Sequence, residues 1–213
     1  DESPIGVQDS HKKGALHNGY QWVYRAPVEK LALFRYHKGR GKEAAIEVLK
    51  NFSGTLQTDG YQVYQNLQLQ EITLIGCMAH ARRYFEKALE NDKKRAEYVL
   101  GLFQQLYAIE RKAKEREIGM ETKKRYRSYY ARPILKTMEK WLKEEIHKVR
   151  PKSLIGRAIA YTLNFWDKLK GYVIDGRFEI DNNLVENTIR PLALGRKNYL
   201  FAGSHQAAQR TAM

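Results

Sequence analysis

The 213-residue chain contains a single cysteine, Cys77. One thiol cannot build an internal disulfide framework, so the chain reads as a protein of a reducing, intracellular compartment. Long hydrophobic runs are missing as well. No stretch approaches the roughly 18 apolar residues that a spanning helix needs, which excludes a membrane span. The opening Asp1-Glu2-Ser3-Pro4 lacks the basic start and apolar stretch of a signal peptide. Negative charge is scarce: 24 Asp and Glu stand against 38 Lys and Arg, a net charge of +14. Such an imbalance says little about fold, but it points to polyanionic partners, nucleic acid first. There is no internal repeat, no low-complexity segment, and no G-x-S-x-G, H-E-x-x-H or Rossmann fingerprint. The length fits one large domain or one domain carrying an insertion. Because it begins with Asp and stops at Arg210-Thr211-Ala212-Met213, the chain reads as an excerpt of a longer protein.

The first third reads as strands and turns. Gly19 to Arg25 is aromatic and β-branched with rough alternation, and Leu31 to His37 continues the pattern. The polar stretch Gln8 to Asn18 predicts a hairpin loop. Gly39-Arg40-Gly41 ends the third strand, and Ala45, Ile46, Leu49 and Phe52 predict a helix that Gly54 closes. Thr55 to Thr58 and Ile72 to Cys77 predict short strands, with a short helix between them. Met78 to Glu90 predicts a helix with Tyr84, Phe85 and Leu89 available for burial. Antiparallel strands followed by strand–helix alternation imply a mixed α/β sheet covered by helices.

The middle changes character. From Asp92 to about Lys170 there is no convincing strand. Three helical stripes replace it: Tyr98, Leu102, Leu106, Ile109 and Ala113; Ile134, Leu135, Met138, Leu142 and Ile146; and Ile155, Ile159, Leu163 and Trp166. Pro133 and Pro151 punctuate them. Arg111 to Arg127 carries eight Lys or Arg and three Asp or Glu, which reads more readily as a solvated face than as a nucleic-acid contact. The expected division is therefore 1–91 as the first part of a core, 92–170 as an all-helical insertion, and 171–213 as the remainder of the core.

Three acids stand out by context. Asp1 opens what should be the end of a first strand, Asp59 follows a strand and precedes Gly60, and Glu186 lies in the second turn of a helix capped by Asp181 or Asn182. Open α/β sheets place ligands just past strand ends. Singly, each acid has a bland explanation: an Asp-Gly turn for Asp59, and an i,i+4 pair with Arg190 for Glu186. Converging, three carboxylates would repel unless a cation filled the centre. Oxygen ligands favour Mg²⁺ or Mn²⁺, and two such ions suit phosphodiester chemistry. Spacings of 58 and 127 residues do not establish convergence.

Other candidates are weaker. Cys77-x-x-His80 has metal-like spacing but no second cysteine, so it reads as a buried thiol at a strand end with a histidine beside the site. His80, Arg82 and Arg83, with Arg190, Arg196, Lys197 and Asn198 beyond the glutamate helix, are the expected DNA contacts. Tyr199 and Phe201 read as packing residues rather than base-stacking ones. His37 to Gly41 reads as a strand-to-helix turn, not a phosphate cradle.

These stretches carry a resemblance. D-E-S-P-I at Asp1, G-Y-Q-W-V-Y-R at Gly19, L-Q-T-D-G-Y at Leu56, C-M-A-H-A-R-R-Y-F at Cys77, and I-D-N-N-L-V-E-N-T-I-R-P-L-A-L-G-R-K-N-Y-L-F-A-G-S from Ile180 to Ser204 resemble the DDE transposases of the insertion sequence 66 family. The resemblance implies a ribonuclease-H-like fold interrupted by a helical insertion. It implies Asp1, Asp59 and Glu186 as a catalytic, metal-holding triad with two Mg²⁺ or Mn²⁺ ions. It also implies cleavage and strand transfer at transposon ends by a cytoplasmic bacterial protein, nucleoid-associated and homo-oligomeric on DNA, with no membrane partner. A nuclease or resolvase of the same fold, or a non-catalytic DNA-binding remnant, are the alternatives.

Overall fold

A computed structural model of the chain describes residues 1–8, 15–65, 67 and 71–212. The described strands are β1 (Glu2–Gln8), β2 (Leu16–Ala26), β3 (Leu31–His37), β4 (Gly54–Gln57) and β5 (Ile72–Ile75). The helices are α1 (Lys42–Leu49), α2 (Gln62–Gln65), α3 (Met78–Ala88), α4 (Lys93–Glu115), α5 (Met120–Glu145), α6 (Leu154–Asn164), α7 (Trp166–Leu169), α8 (Asn183–Asn198) and α9 (His205–Arg210). The chain is a mixed α/β protein with its strands in two small sheets, β1-β2-β3 and β4-β5. It divides into two compact units: residues 1–54, 61–72 and 183–213, and residues 55–60 and 73–182.

In the first unit, β1 pairs antiparallel with β2, Glu2 opposite Trp22 and Val7 opposite His17; β2 pairs antiparallel with β3, Tyr20 opposite His37. Side chains alternate across a strand, so Ser3, Ile5 and Val7 turn inward. Ile5 and Val7 meet Ala202 and Ala208, with Tyr36 and Tyr199 packed alongside. The free edge of β1 is occupied by the chain's last segment: the Gln8 amide donates to the Ala202 carbonyl, and the Ala202 amide donates to the Gly6 carbonyl, both at 2.8 Å. The strands reach further than the sequence predicts, because Gln8 and Leu16 to Asn18 belong to the ladder and not to the hairpin loop; residues 9–14 of that loop lie outside the described residues. Gly54 does not close α1. It opens β4 with a φ of +130°, a conformation glycine adopts at little cost.

The second unit is built on α3, α4, α5 and α6. No strand occurs among residues 92–170. Leu102, Leu106, Ile109 and Ala113 of α4 are buried, as are Leu135, Met138 and Leu142 of α5 and Ile155, Ile159 and Trp166 further on. Tyr98 departs from the expected stripe: it is 45% exposed and lies 5.1 Å from the Trp141 ring. Pro133 does not interrupt α5, which runs through it. An internal proline costs about 3 kcal/mol. Burial of Ala131, Leu135, Met138 and Leu142 on one face outweighs that, at about 1.5–3 kcal/mol for each large side chain. Pro151 falls in the turn before α6, where the Gly156 amide donates to the Ser153 hydroxyl at 3.1 Å and so caps the helix.

Arg127 is the correction to the basic run. The run's reading as a solvated face fails at this residue, which is fully buried. Its guanidinium donates to both oxygens of Glu110 at 2.8 and 2.7 Å, and to the carbonyls of Tyr172 (2.9 Å), Asp175 (2.8 Å) and Phe178 (2.8 Å). All five donors of the fork have the geometry to be used, which is what lets a charge sit inside the helical unit.

Candidate active site

Asp1 and Glu186 belong to the first unit. The Asp1 carbonyl accepts from the Val23 amide at 2.8 Å, and its carboxylate accepts from the Glu2 amide at 2.9 Å, so the β1–β2 ladder fixes it. Glu186 lies on α8, which packs across β1 and β2. Two side chains set the helix in place. Arg25 donates to the Thr188 hydroxyl at 3.1 Å, and Arg196 donates to the Pro4 carbonyl at 2.5 Å. Trp22 is opposite Glu2, so Arg25 lies past the Asp1 end of β1, whereas Pro4 lies inside the strand. The helix therefore runs inward from the Asp1 end, and Glu186, two residues before Thr188, is in the turn that starts there. Both acids are half-buried.

Glu2 is an acid whose role the sequence does not announce. Its carboxylate is taken by Arg40, whose Nε donates to it at 2.7 Å and whose guanidinium stacks 4.3 Å from the Tyr61 ring centroid. Only 4% of the Glu2 side chain is exposed, so this carboxylate serves an ion pair. The His37–Gly41 stretch is a strand-to-helix turn, with the Gly39 amide donating to His37 Nδ1 at 3.0 Å.

Asp59 belongs to the second unit, two residues past β4. The Tyr161 hydroxyl donates to its carbonyl at 3.1 Å. Burial, and next the neighbouring Tyr84 and Asp59, push the Tyr161 hydroxyl well above the ordinary tyrosine range, so it stays a donor. Gly60 has a φ of +91°, and a Cβ there would stand 3.0 Å from the Tyr161 oxygen. The glycine after Asp59 is thus required by backbone conformation and by the close tyrosine. Nothing in the local sequence signals Tyr161, which is 102 residues away.

Also in the second unit, the segment before α8 passes over the start of α3. The Met78 amide donates to the Ile180 carbonyl at 3.1 Å, and the Asn182 amide donates to the Cys77 sulfur at 3.4 Å. Cys77 is buried, and burial pushes its thiol up to about 11. The Tyr107 hydroxyl donates to Asp181 at 2.8 Å, so that carboxylate is tied to α4. On α3, Arg83 meets His80 Nε2 at 3.2 Å and Arg82 pairs with Glu86 at 2.7 Å, with both arginines exposed. Among the expected cations near Glu186, Arg190 and Lys197 are exposed along with Asn198, whereas Arg196 is half-buried and committed to Pro4. Tyr199 packs into the first unit's core; Phe201 is 41% exposed.

The three carboxylates supply oxygen donors of the type hard divalent cations prefer. Among the described residues, no group of three or more His, Cys, Asp or Glu is gathered that could hold a metal ion. Also among them, no helix is long and apolar enough to cross a membrane.

The chain is thus a basic α/β protein of net charge +14, with one acid just past a strand and another on a helix laid across a small antiparallel sheet. Comparison with known sequences makes this specific. The model of the IS66 family of transposases matches residues 1–210, and the chain belongs to that family. Three proteins of Sinorhizobium fredii, each described as uncharacterized, are similar to it. They are y4qI at 34% identity over 82% of this chain, y4jD at 27% over 87%, and y4hP at 28% over 85%. The matches cover 34%, 38% and 36% of those proteins, so the chain spans little more than a third of their length. No solved structure matches it.

Proposed function

We propose that this chain is the catalytic core of a transposase, which cuts DNA at transposon ends and joins it to a target with divalent-metal help. The reading includes a ribonuclease-H-like core, with 92–170 as its helical insertion. The observation that carries it is the placement of α8, which starts Glu186's helix at the Asp1 end of β1 in a chain of the transposase family. Asp59, past β4 and followed by a glycine that the close Tyr161 hydroxyl requires, supplies the third carboxylate.

Asp1, Asp59 and Glu186 would hold Mg²⁺ or Mn²⁺. Such ions, when bound, lower the pKa of an attacking water or 3′-hydroxyl and stabilise charge on the phosphodiester. The chain's own groups do the rest. Tyr161 fixes the backbone of Asp59, and the β1–β2 ladder fixes that of Asp1. Arg25 and Arg196 fix the helix that carries Glu186. Exposed Arg190, Lys197 and Asn198 on that helix, with His80, Arg82 and Arg83 of α3, would contact DNA phosphates and hold the strand in place, which is where positioning lowers a barrier. The proposed partners are transposon-end and target DNA, with further copies of the protein assembled on them.

The test is Mg²⁺- or Mn²⁺-dependent cleavage of transposon-end DNA by the intact protein. Asp59→Asn and Glu186→Gln are each expected to lower the rate by at least about 10³-fold, in line with loss of a metal-centred stabilisation of several kcal/mol. Full activity in either variant would refute the triad. Cleavage without joined products would reassign the protein to the nucleases.

A further inference from the structure

The exposed face of α5 carries a pattern that the proposed active site does not use. Arg125, Tyr129, Arg132 and Lys136 are spaced at i, i+4, i+7 and i+11, so they form one stripe along the helix. The stripe lies opposite the buried Arg127, Ala131, Leu135, Met138 and Leu142. All four residues are exposed, Tyr129 at 74%. Further along α5 the charges are balanced: Lys143 pairs with Glu139 at 2.7 Å and Lys140 with Glu144 at 3.9 Å. Arg125, Arg132 and Lys136 pair with no carboxylate among the described residues. The tyrosine is also held in place. Tyr129 sits edge-on to Tyr130 with centroids 4.8 Å apart, and Tyr130 lies 4.6 Å from Tyr126. A large aromatic kept this exposed, between cations that lack partners, serves no purpose in the helical core.

We propose that this stripe is a docking surface for duplex DNA, contacting the phosphate backbone without reading bases. Eleven residues of helix cover about 16 Å, a length over which a duplex carries one negative charge per ~1.7 Å of its axis. A straight row of three cations complements an evenly charged rod. The Tyr129 hydroxyl, between Arg125 and Arg132, is a donor of the kind that bonds phosphate oxygens. The inference rests on the reading that the protein acts on DNA, but it assigns contact to a surface distinct from the carboxylates.

The test is binding of the full chain to a labelled random-sequence duplex, followed by fluorescence anisotropy over 50–300 mM salt with EDTA present. Leaving out metal separates this result from catalysis. For the Arg125→Gln/Arg132→Gln/Lys136→Gln variant, the slope of log affinity against log salt should become shallower by about 2.7, with affinity near 0.1 M salt falling on the order of 100-fold. Lys140→Gln/Lys143→Gln, which removes charges that already have partners, should change affinity less than threefold. Far-UV circular dichroism and melting temperature check that both variants fold. Equal losses in the two variants would mean net charge alone matters, and would overturn the proposal. So would an unchanged slope in the first variant, absence of duplex binding by the parent, or a loss confined to single strands or to acidic protein.

Discussion

Arg127 offers the sharpest test of how the helical unit is held. Its side chain is fully buried and makes five hydrogen bonds, two to the Glu110 carboxylate and three to the carbonyls of Tyr172, Asp175 and Phe178. Arg127→Ala removes all five donors together. The Glu110 side chain is only 11% exposed, so its charge is left with Lys123 at 3.6 Å as the remaining cation. Breaking a buried pair from one side costs about 3–5 kcal/mol. Three carbonyls that water does not fully reach add to this, so a loss of about 4–6 kcal/mol is expected. At roughly 2–4 °C per kcal/mol for a chain of this size, the melting temperature falls by about 8–24 °C. Urea unfolding followed by far-UV circular dichroism is the assay, since α4, α5 and α6 dominate the helical signal. Arg127→Lys keeps the charge but loses the fork, and should lie between the parent and Arg127→Ala. Arg127→Met combined with Glu110→Gln removes both charges and should recover at least 2 kcal/mol relative to the sum of the single losses. If Arg127→Ala lies within 1 kcal/mol of the parent, the account of this buried fork is wrong.

Two further expectations concern packing and pH. Gly156 lies in the first turn of α6, and a Cβ there would stand 2.2 Å from the Arg150 carbonyl oxygen. Helix propensity favours Ala over Gly by about 1 kcal/mol, whereas the clash should cost about 2–3 kcal/mol, so Gly156→Ala should lower the melting temperature; a rise would show that the Arg150 turn yields freely. Burial pushes the Cys77 thiol up to about 11 and Tyr24 up to about 12, and holds Tyr107, Tyr161 and Tyr172 above the ordinary tyrosine range as well. In each case the fold favours the neutral form. That stability is complete below the unfolded values near 8.5 for the thiol and 10 for tyrosine, and it is lost as pH climbs toward the folded values. Melting temperature should be level from pH 7 to 8 and fall steeply above about pH 10, while a flat profile to pH 11 would refute the burial argument.

Much of the fold is legible in the sequence because burial repeats with the period of the element. Ile5 and Val7 alternate on β1, and Leu135, Met138 and Leu142 recur at helical spacing on α5. The order of three strands, helix, strand, short helix, strand and helix follows from such patterns and matches the observed order through α3. Local punctuation was less informative. Pro133 reads as a stop, yet one lost backbone bond is small beside the buried face on either side of it. Gly54 reads as a helix end but starts a strand. The candidate site is legible only in part. The acids proposed for the site announce themselves by standing next to a strand or near a helix start, as Asp59 and Glu186 do. The groups that position them do not, because Tyr161, Arg25 and Arg196 reach their partners across 102, 163 and 192 residues of chain.

The basic run from Arg111 to Arg127 shows why counting charge is not enough. Arg125 and Arg127 are two residues apart, identical in type, and set in the same stretch of positive charge. On an α-helix two residues are separated by about 200°, so one of them must turn toward the side the other avoids. The core decides which: Ala131, Leu135, Met138 and Leu142 define the buried side, and Arg127 shares it while Arg125 does not. The buried arginine becomes acceptable only because Glu110 and three carbonyls converge on it, and that convergence depends on the segment from Tyr172 to Phe178 folding back over α5. The exposed arginine joins Arg132 and Lys136 in a row with Tyr129 at its centre. Helical phase thus divides one run of charge into a structural pin and a face suited to phosphate, and the two should respond differently to substitution. Arg127→Ala should change stability with little effect on the salt slope of the folded protein, whereas loss of Arg125, Arg132 and Lys136 should change the salt slope with little effect on stability.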